Sequence, residues 1–215
     1  MSKTKTSTVF NEIPTKDGKL TIALMQTNFW VGDVAGNVRK MRALTQDAKV
    51  RGADIVIFPE LSLIGCPPED LLLRPTLNER IKEALHDLAL IDDIVIILGY
   101  PHVDQSGTFN SVAILHNGNQ KGFYHKQKLA NYGIFDERRY FNEGHNQVLF
   151  DLKGTTIGLL VGEDLWQDKP IENLKNSGAE LIISLHACPF EIGIQSKRKQ
   201  LLDKQAKKHH LPIVY

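Results

Sequence analysis

Cysteine is scarce in this sequence: Cys66 and Cys188 are the only two among 215 residues. Two thiols without framework spacing exclude a disulfide-stapled scaffold. They suit a reducing compartment, so a cytoplasmic location is expected. Net charge is scarce as well, +1 from 26 basic and 25 acidic residues. Composition therefore offers no reason to expect nucleic acid or an anionic membrane as a partner. No apolar run reaches the length of a membrane span. The opening "MSKTKTSTVF" lacks the apolar stretch of a secretion signal. A glycine-rich phosphate loop of the Walker or dinucleotide type is missing, as are internal repeats and low-complexity segments. His209 and His210 find no metal-ligand partner at useful spacing and read as helix surface.

What is present is a series of short apolar runs separated by amphipathic stretches. Residues 1–18 are polar and aperiodic apart from Val9, Phe10 and Ile13, which predicts an N-terminal arm; residues 19–215 read as one domain. "LTIALMQTNF", "DIVIFPE", "DIVIILGYP" and "AELIISLHA" are candidate buried strands. Val38, Met41, Leu44 and Ala48 keep helical period, as do Ile81, Ala84, Leu85 and Leu88. Asn117-Gly118 marks a hairpin and Lys153-Gly154 a second tight turn. Helices are also expected near 170–177 and over 196–209, with a last strand at "LPIVY". The order is β-α-β-α-α-β, a hairpin, two strands, then α-β-α-β. Unbroken apolar strands of this kind need cover on both faces or a second sheet behind them. The last strand stops with neither partner nor cap, so a domain cut short at its C-terminus is expected.

Three strand ends carry charge. Glu60 follows "VIFP", where desolvation can turn a carboxylate into a general base. Lys126 and Lys128 stand at period two after "GFYH", so both are expected to face one way, as oxyanion donors or as a solvated basic loop. The aromatics around them, from Tyr124 to Phe141, argue for a packed wall. The third end is "LLVGEDLW", where a buried strand breaks at Gly162 into Glu163 and Asp164. A strand-to-helix corner suits an activated nucleophile, yet Gly162 has no side chain.

Together these segments resemble the nitrilase, or carbon–nitrogen hydrolase, superfamily, which uses a Glu-Lys-Cys triad. Within it, "FPELSLIGCPPEDLLLR", "KQKLANYGIFDERRYF", "GEDLWQD" and "SLHACPFEIG" are similar to the glutaminase domain of glutamine-dependent NAD+ synthetases. The resemblance runs from about Leu20 to the last residue and implies an α/β fold, a four-layer αββα sandwich truncated at the C-terminus. It implies Glu60 as general base, Lys126 as triad lysine and Gly162 at the seat of the nucleophilic cysteine. Tyr132, Glu137 and Glu163 then hold substrate or support the triad, and Cys188 falls in a glutamine-binding loop. The sequence departs from the family pattern at Gly162, at Ala130 (usually proline), at Cys66 (often tyrosine) and in "SLHACPF", where something close to "NxSASPF" is usual.

The implied reaction hydrolyses L-glutamine to glutamate and ammonia through a thioester. Glu60 moves the protons, while Lys126 and the backbone N–H of Glu163 hold the oxyanion. The ammonia passes to an ATP- and Mg2+-using synthetase domain, which this sequence does not contain; the glutaminase site itself needs no metal or cofactor. The family also implies a homo-oligomer. With glycine at 162 the covalent route is closed, so the chain is expected to be inactive or impaired. The alternatives are a non-catalytic assembly or substrate-binding module, or another amidase of the superfamily. Cys188 is the one thiol read as having a route to the site, either as a displaced nucleophile or as a structural residue.

Overall fold

A computed structural model of the protein describes residues 7–15, 18–187, 189 and 191–215. The apolar runs form two sheets. The larger holds β1 (Ser7–Thr15), β2 (Gly18–Gln26), β3 (Ile55–Ile57), β4 (Val95–Asp104), β5 (Gly107–His116) and β6 (Asn119–His125), side by side in that order. The smaller has the order β10 (Ile213–Val214), β9 (Leu181–Leu185), β8 (Thr155–Val161), β7 (Leu149–Leu152). Among the described residues four α-helices accompany them: α1 (Val34–Val50), α2 (Pro75–Ala89), α3 (Asp168–Asn176) and α4 (Ile194–His209).

Period-two side-chain placement explains why the central strands are apolar throughout. Ile22, Ile55, Ile57, Val95, Ile97, Val112 and Ile114 share one buried cluster with Ile157, Leu159, Leu181 and Ile183 of the smaller sheet. Their sequence neighbours Ala23, Val56, Ile96, Leu98 and Ala113 pack instead on Met41 of α1 and Leu88 of α2. On the far side of the smaller sheet, Gly158 faces Leu174 of α3 so closely that an added Cβ would lie 2.9 Å from its methyls. The layers are therefore helix, sheet, sheet, helix, as the resemblance implied.

Two expectations fail. The last strand does have a partner, since β10 pairs in parallel with β9. The predicted arm is, over Ser7–Thr15, an antiparallel strand paired with β2 from Ser7↔Gln26 to Thr15↔Gly18. β1 is the edge strand, and an edge needs hydrogen bonds on one side only. Such a strand can be polar and can carry Pro14, which has no N–H to give to a ladder. Residues 1–6 lie outside the described part.

The topology aims several strand ends at one place. β3, β4 and β6 run in the same direction, since β3 and β4 are parallel and β5 is antiparallel to both its neighbours. β8, β9 and β10 are also mutually parallel. Carboxyl ends of parallel strands are where α/β proteins gather their sites. Here they deliver Glu60 and Lys126 from one sheet and Gly162 and His186 from the other.

The Glu60 turn rests directly on β4. Gly99 donates its N–H to the Pro59 carbonyl at 3.2 Å and accepts from the Leu63 N–H at 3.0 Å. A Cβ on Gly99 would stand 2.3 Å from the Leu61 nitrogen and 2.7 Å from the Glu60 Cα. Backbone on both sides leaves nothing to rotate away. Gly99→Ala should therefore destabilise the protein by about 1–3 kcal/mol, the usual cost of overpacking. Urea unfolding measures this, and a variant as stable as the parent would show that the turn has slack.

Candidate active site

Glu60 is 4% exposed and fully engaged. Its Oε1 accepts from Lys126 Nζ at 2.7 Å and from Asn110 Nδ2 at 2.8 Å; its Oε2 accepts from the Ala187 N–H at 3.0 Å. Lys126, the first residue past β6 and 3% exposed, donates again to Glu137 Oε1 at 2.9 Å. Glu137 is tied further by Asn110 Nδ2 at 3.1 Å and by the Ala130 N–H at 2.6 Å. One ammonium thus sits between two carboxylates.

The charges set one another. Burial alone would raise the Glu60 carboxyl, but the Lys126 charge and hydrogen bond outweigh it, and the group ends below the usual carboxylate range. Burial alone would lower the Lys126 ammonium, but Glu60 and Glu137 hold it well above an ordinary lysine. Glu137 is raised, first by burial and then by the negative charge of Glu60, with Lys126 offsetting only part. Glu60 is the charged partner and Glu137 the more readily protonated one. Two carboxylates on one ammonium titrate as a unit.

Gly162 joins this group from the other sheet. It opens a short 3-10 helix, Gly162–Trp166, and has φ +49°, a left-handed backbone that glycine adopts without penalty. A Cβ built there would lie 2.7 Å from Lys126 Nζ and 3.0 and 3.1 Å from the Glu60 carboxylate oxygens. The three residues expected to converge do so.

Asp164 fastens the corner to the lysine loop, a role that sequence reasoning missed. Fully buried, it accepts from Tyr124 Oη at 2.8 Å, the Lys128 N–H at 2.7 Å, the Gln127 N–H at 3.0 Å and the Val161 N–H at 3.2 Å. Burial pushes its carboxyl up to about 7, against the hydrogen bonds that pull it down. The acid pair after the apolar run was the available signal.

Other expectations need correction. Lys126 and Lys128 do not face the same way: β6 ends at His125, period two stops with it, and Lys128 is exposed. Tyr132, 57% exposed, meets Glu163 through a hydrogen bond at the rim of the cavity that Glu163 lines. His209 is buried, with Nε2 3.5 Å from Asp168, and is not helix surface. Cys188 lies outside the described residues. The other thiol, Cys66, does line the cavity over Glu60, Lys126, Glu137 and Gly162, whose volume is about 240 Å³.

His186 was overlooked too. Val161 pairs with Leu185 across the parallel β8–β9 ladder, so the residues that follow, Gly162 and His186, are brought side by side. His186 lines this cavity and a second one of about 600 Å³ that extends to Arg198 and Tyr215. Both its ring nitrogens are buried, with no hydrogen-bond partner among the described residues. The only hint in the sequence is its place in "SLHACPF".

Comparison with known proteins agrees with this geometry. The family model described as carbon-nitrogen hydrolase matches residues 21–213. The glutamine-dependent NAD(+) synthetase of Acinetobacter baylyi is 39% identical over 195 residues, covering 90% of this chain and 36% of that protein. The synthetase of Xylella fastidiosa is 40% identical over 200 residues, 91% of this chain and 37% of that protein. This chain therefore spans little more than a third of the relatives it matches. A solved glutamine-dependent NAD+ synthetase of Acinetobacter baumannii, in complex with ADP, superimposes with TM-score 0.88 at 39% identity, covering 90% of this chain and 37% of that one. An amidase of the nitrilase superfamily from Nesterenkonia shares the fold, with TM-score 0.82 at 22% identity, 91% of this chain and 75% of that one. With its family match running from the first central strand to the last, this chain belongs to the carbon–nitrogen hydrolase family.

Proposed function

We propose that this chain is a glutaminase-type domain that holds the carboxamide of L-glutamine against Glu60 and Lys126 and does not cleave it through a thioester. One observation carries the reading. The position from which a side chain would enter between Glu60 and Lys126 is Gly162, whose missing Cβ would already lie 2.7 Å from Lys126 Nζ. The similarity to glutamine-dependent NAD(+) synthetases supports glutamine as the ligand. In a longer protein of that kind the partner is a synthetase domain, and ATP and Mg2+ act there.

In this reading the amide oxygen takes hydrogen bonds from Lys126 and the Glu163 N–H. The amide N–H groups face the Glu60 carboxylate, and His186, which lines the cavity, meets the remaining polar groups of the ligand. Glu60 can polarise a water, but no nucleophile shares the site with it at residue 162. Loss of the nucleophile from a catalytic unit lowers kcat by orders of magnitude.

The purified chain should bind glutamine in a calorimeter yet release glutamate far below the ordinary enzymatic range of about 1 s⁻¹ or more. In Gly162→Cys the new Cβ forces Lys126 and Glu60 to shift by several tenths of an ångström. That variant should be labelled at position 162 by a glutamine-mimicking diazo-ketone, and excess glutamine should block the labelling. Fast turnover by the unaltered chain, or labelling at 162 that glutamine does not affect, would sink the proposal.

His186 gives a pH signature. Burial pushes its pKa from about 6.5 down to about 4, so the folded protein keeps the ring neutral. Between those two values the unfolded chain binds more protons than the folded one, so stability falls as the pH falls. His125, also pushed down to about 4, adds to the same trend. Urea midpoints measured between pH 7 and pH 4 should decline, and His186→Gln should flatten the decline by one histidine's share. Equal slopes for the two proteins would mean that His186 titrates in the fold as it does in water.

A further inference from the structure

Directly behind the Glu60–Lys126 pair, on the helix-covered face of the larger sheet, three more polar side chains converge. Strand neighbours point to opposite faces. Asn110 and Lys126 therefore turn toward the active site, while Ser111 and His125 turn away from it. His102 and Asp104 stand two residues apart on β4, and His125 ends β6 on the other side of β5. The register joins them, with His102 opposite Phe109 and Ser111 opposite His125. Potential ligand atoms of His102, Asp104 and His125 all lie within 4.8 Å of one another.

We infer that His102, Asp104 and His125 form a binding site for a first-row divalent cation of the zinc class. Two imidazoles and a carboxylate are a donor set such ions take, with the remaining coordination completed by water. His102 Nε2 and Asp104 Oδ2 are 3.7 Å apart, close to the roughly 3.4 Å edge of a tetrahedron with bonds of about 2.1 Å. The site also has an outer shell. Tyr100 Oη, which accepts from Gln120, stands 2.9 Å from His102 Nδ1. Ser111 gives its hydroxyl proton to the Phe109 carbonyl at 3.2 Å, leaving Oγ to accept from His125 Nδ1 at 2.7 Å. Both contacts engage Nδ1 and turn Nε2 inward. Asp104 is held likewise, with Oδ1 taken by the Ser106 N–H at 2.7 Å and Oδ2 toward His102. Metal-binding side chains are oriented in this way in known sites.

The rings are packed as well as bonded. Phe123 stacks on His102 at 4.6 Å between centroids and Phe109 on His125 at 4.3 Å. Burial lowers the pKa of both imidazoles, with Asp104 opposing and Lys82 of α2 adding to the effect at His102. A cation here would tie the end of β4 to the end of β6 across β5. It would brace the strand end that carries Lys126, one residue beyond His125. The ligands are 2 and 21 residues apart in sequence, a spacing that no helix or knuckle pattern would have flagged.

The test uses the full chain, stripped with a chelator and titrated with Zn2+ by calorimetry and equilibrium dialysis. One equivalent should bind to the parent protein and raise its Tm, because a ligand of the folded state stabilises it. The double variant His102→Gln/His125→Gln should lose that equivalent and the Tm shift. Asp104→Asn, which keeps the carbonyl oxygen for Ser106, should bind about tenfold more weakly or worse. Tyr100→Phe should weaken binding by about tenfold through loss of the outer contact. The inference is overturned if Asp104→Asn and a folded double variant, checked by circular dichroism, bind zinc as the parent does. It is equally overturned if the parent shows neither the equivalent nor the shift. None of these readouts depends on glutamine, so the result stands apart from the proposal for the active site.

Discussion

Most of what surrounds the site exists to keep one ammonium, Lys126, buried between two carboxylates. An isolated charge in that position would cost several kcal/mol in lost hydration, and attraction between ions repays this only where the remaining hydrogen bonds are met. Here they are met. Asn110 binds both Glu60 and Glu137 with the same amide, and the N–H groups of Ala187 and Ala130 complete the two carboxylates. Each of those donors comes from a different part of the chain. The charge cluster therefore fixes the relative positions of β5, the loop after β6, the loop after β9 and the turn after β3.

The two-sheet architecture makes that possible. Neither sheet alone holds the site: Glu60, Asn110 and Lys126 come from the larger, Gly162 and Ala187 from the smaller. The apolar cluster between the sheets sets the distance between them, and Asp164 fixes the lateral alignment by accepting backbone N–H groups from its own corner and from the lysine loop. A carboxylate used in this way is a structural fastener, which is why it is fully buried although it belongs to neither ion pair.

The central strands could be read from the sequence because burial on both faces leaves unbroken apolar runs, and the turns because Asn117-Gly118 and Lys153-Gly154 have the left-handed backbone such pairs favour. β1 could not, since an edge strand is under no obligation to be apolar. Glu60, Lys126 and Gly162 stood out as strand ends, while Glu137 and the roles of all four came from a family resemblance. The bare pattern left Lys126 and Lys128 equivalent, and only the end of β6 separates them. His186 and the His102–Asp104–His125 group were invisible for another reason. Their meaning depends on which strands are neighbours, and that is settled by tertiary pairing.

The intact Glu60–Lys126–Glu137 cluster is not in itself a sign of catalysis. Removing one member of a buried ionic group leaves the others uncompensated, at a cost of about 3–5 kcal/mol, which is a large fraction of the stability of an ordinary domain. A chain that had no use for glutamine hydrolysis would still lose stability if any one of these residues were removed. Residue 162 is under no such constraint. Its side chain would make no bond that the fold requires, and a Cβ there presses on the ion pair. Stability thus favours keeping Glu60, Lys126 and Glu137 together, and it favours glycine at 162, where the backbone is left-handed and a Cβ would crowd the ion pair. The charges around Gly162 therefore report on the fold as much as on any chemistry.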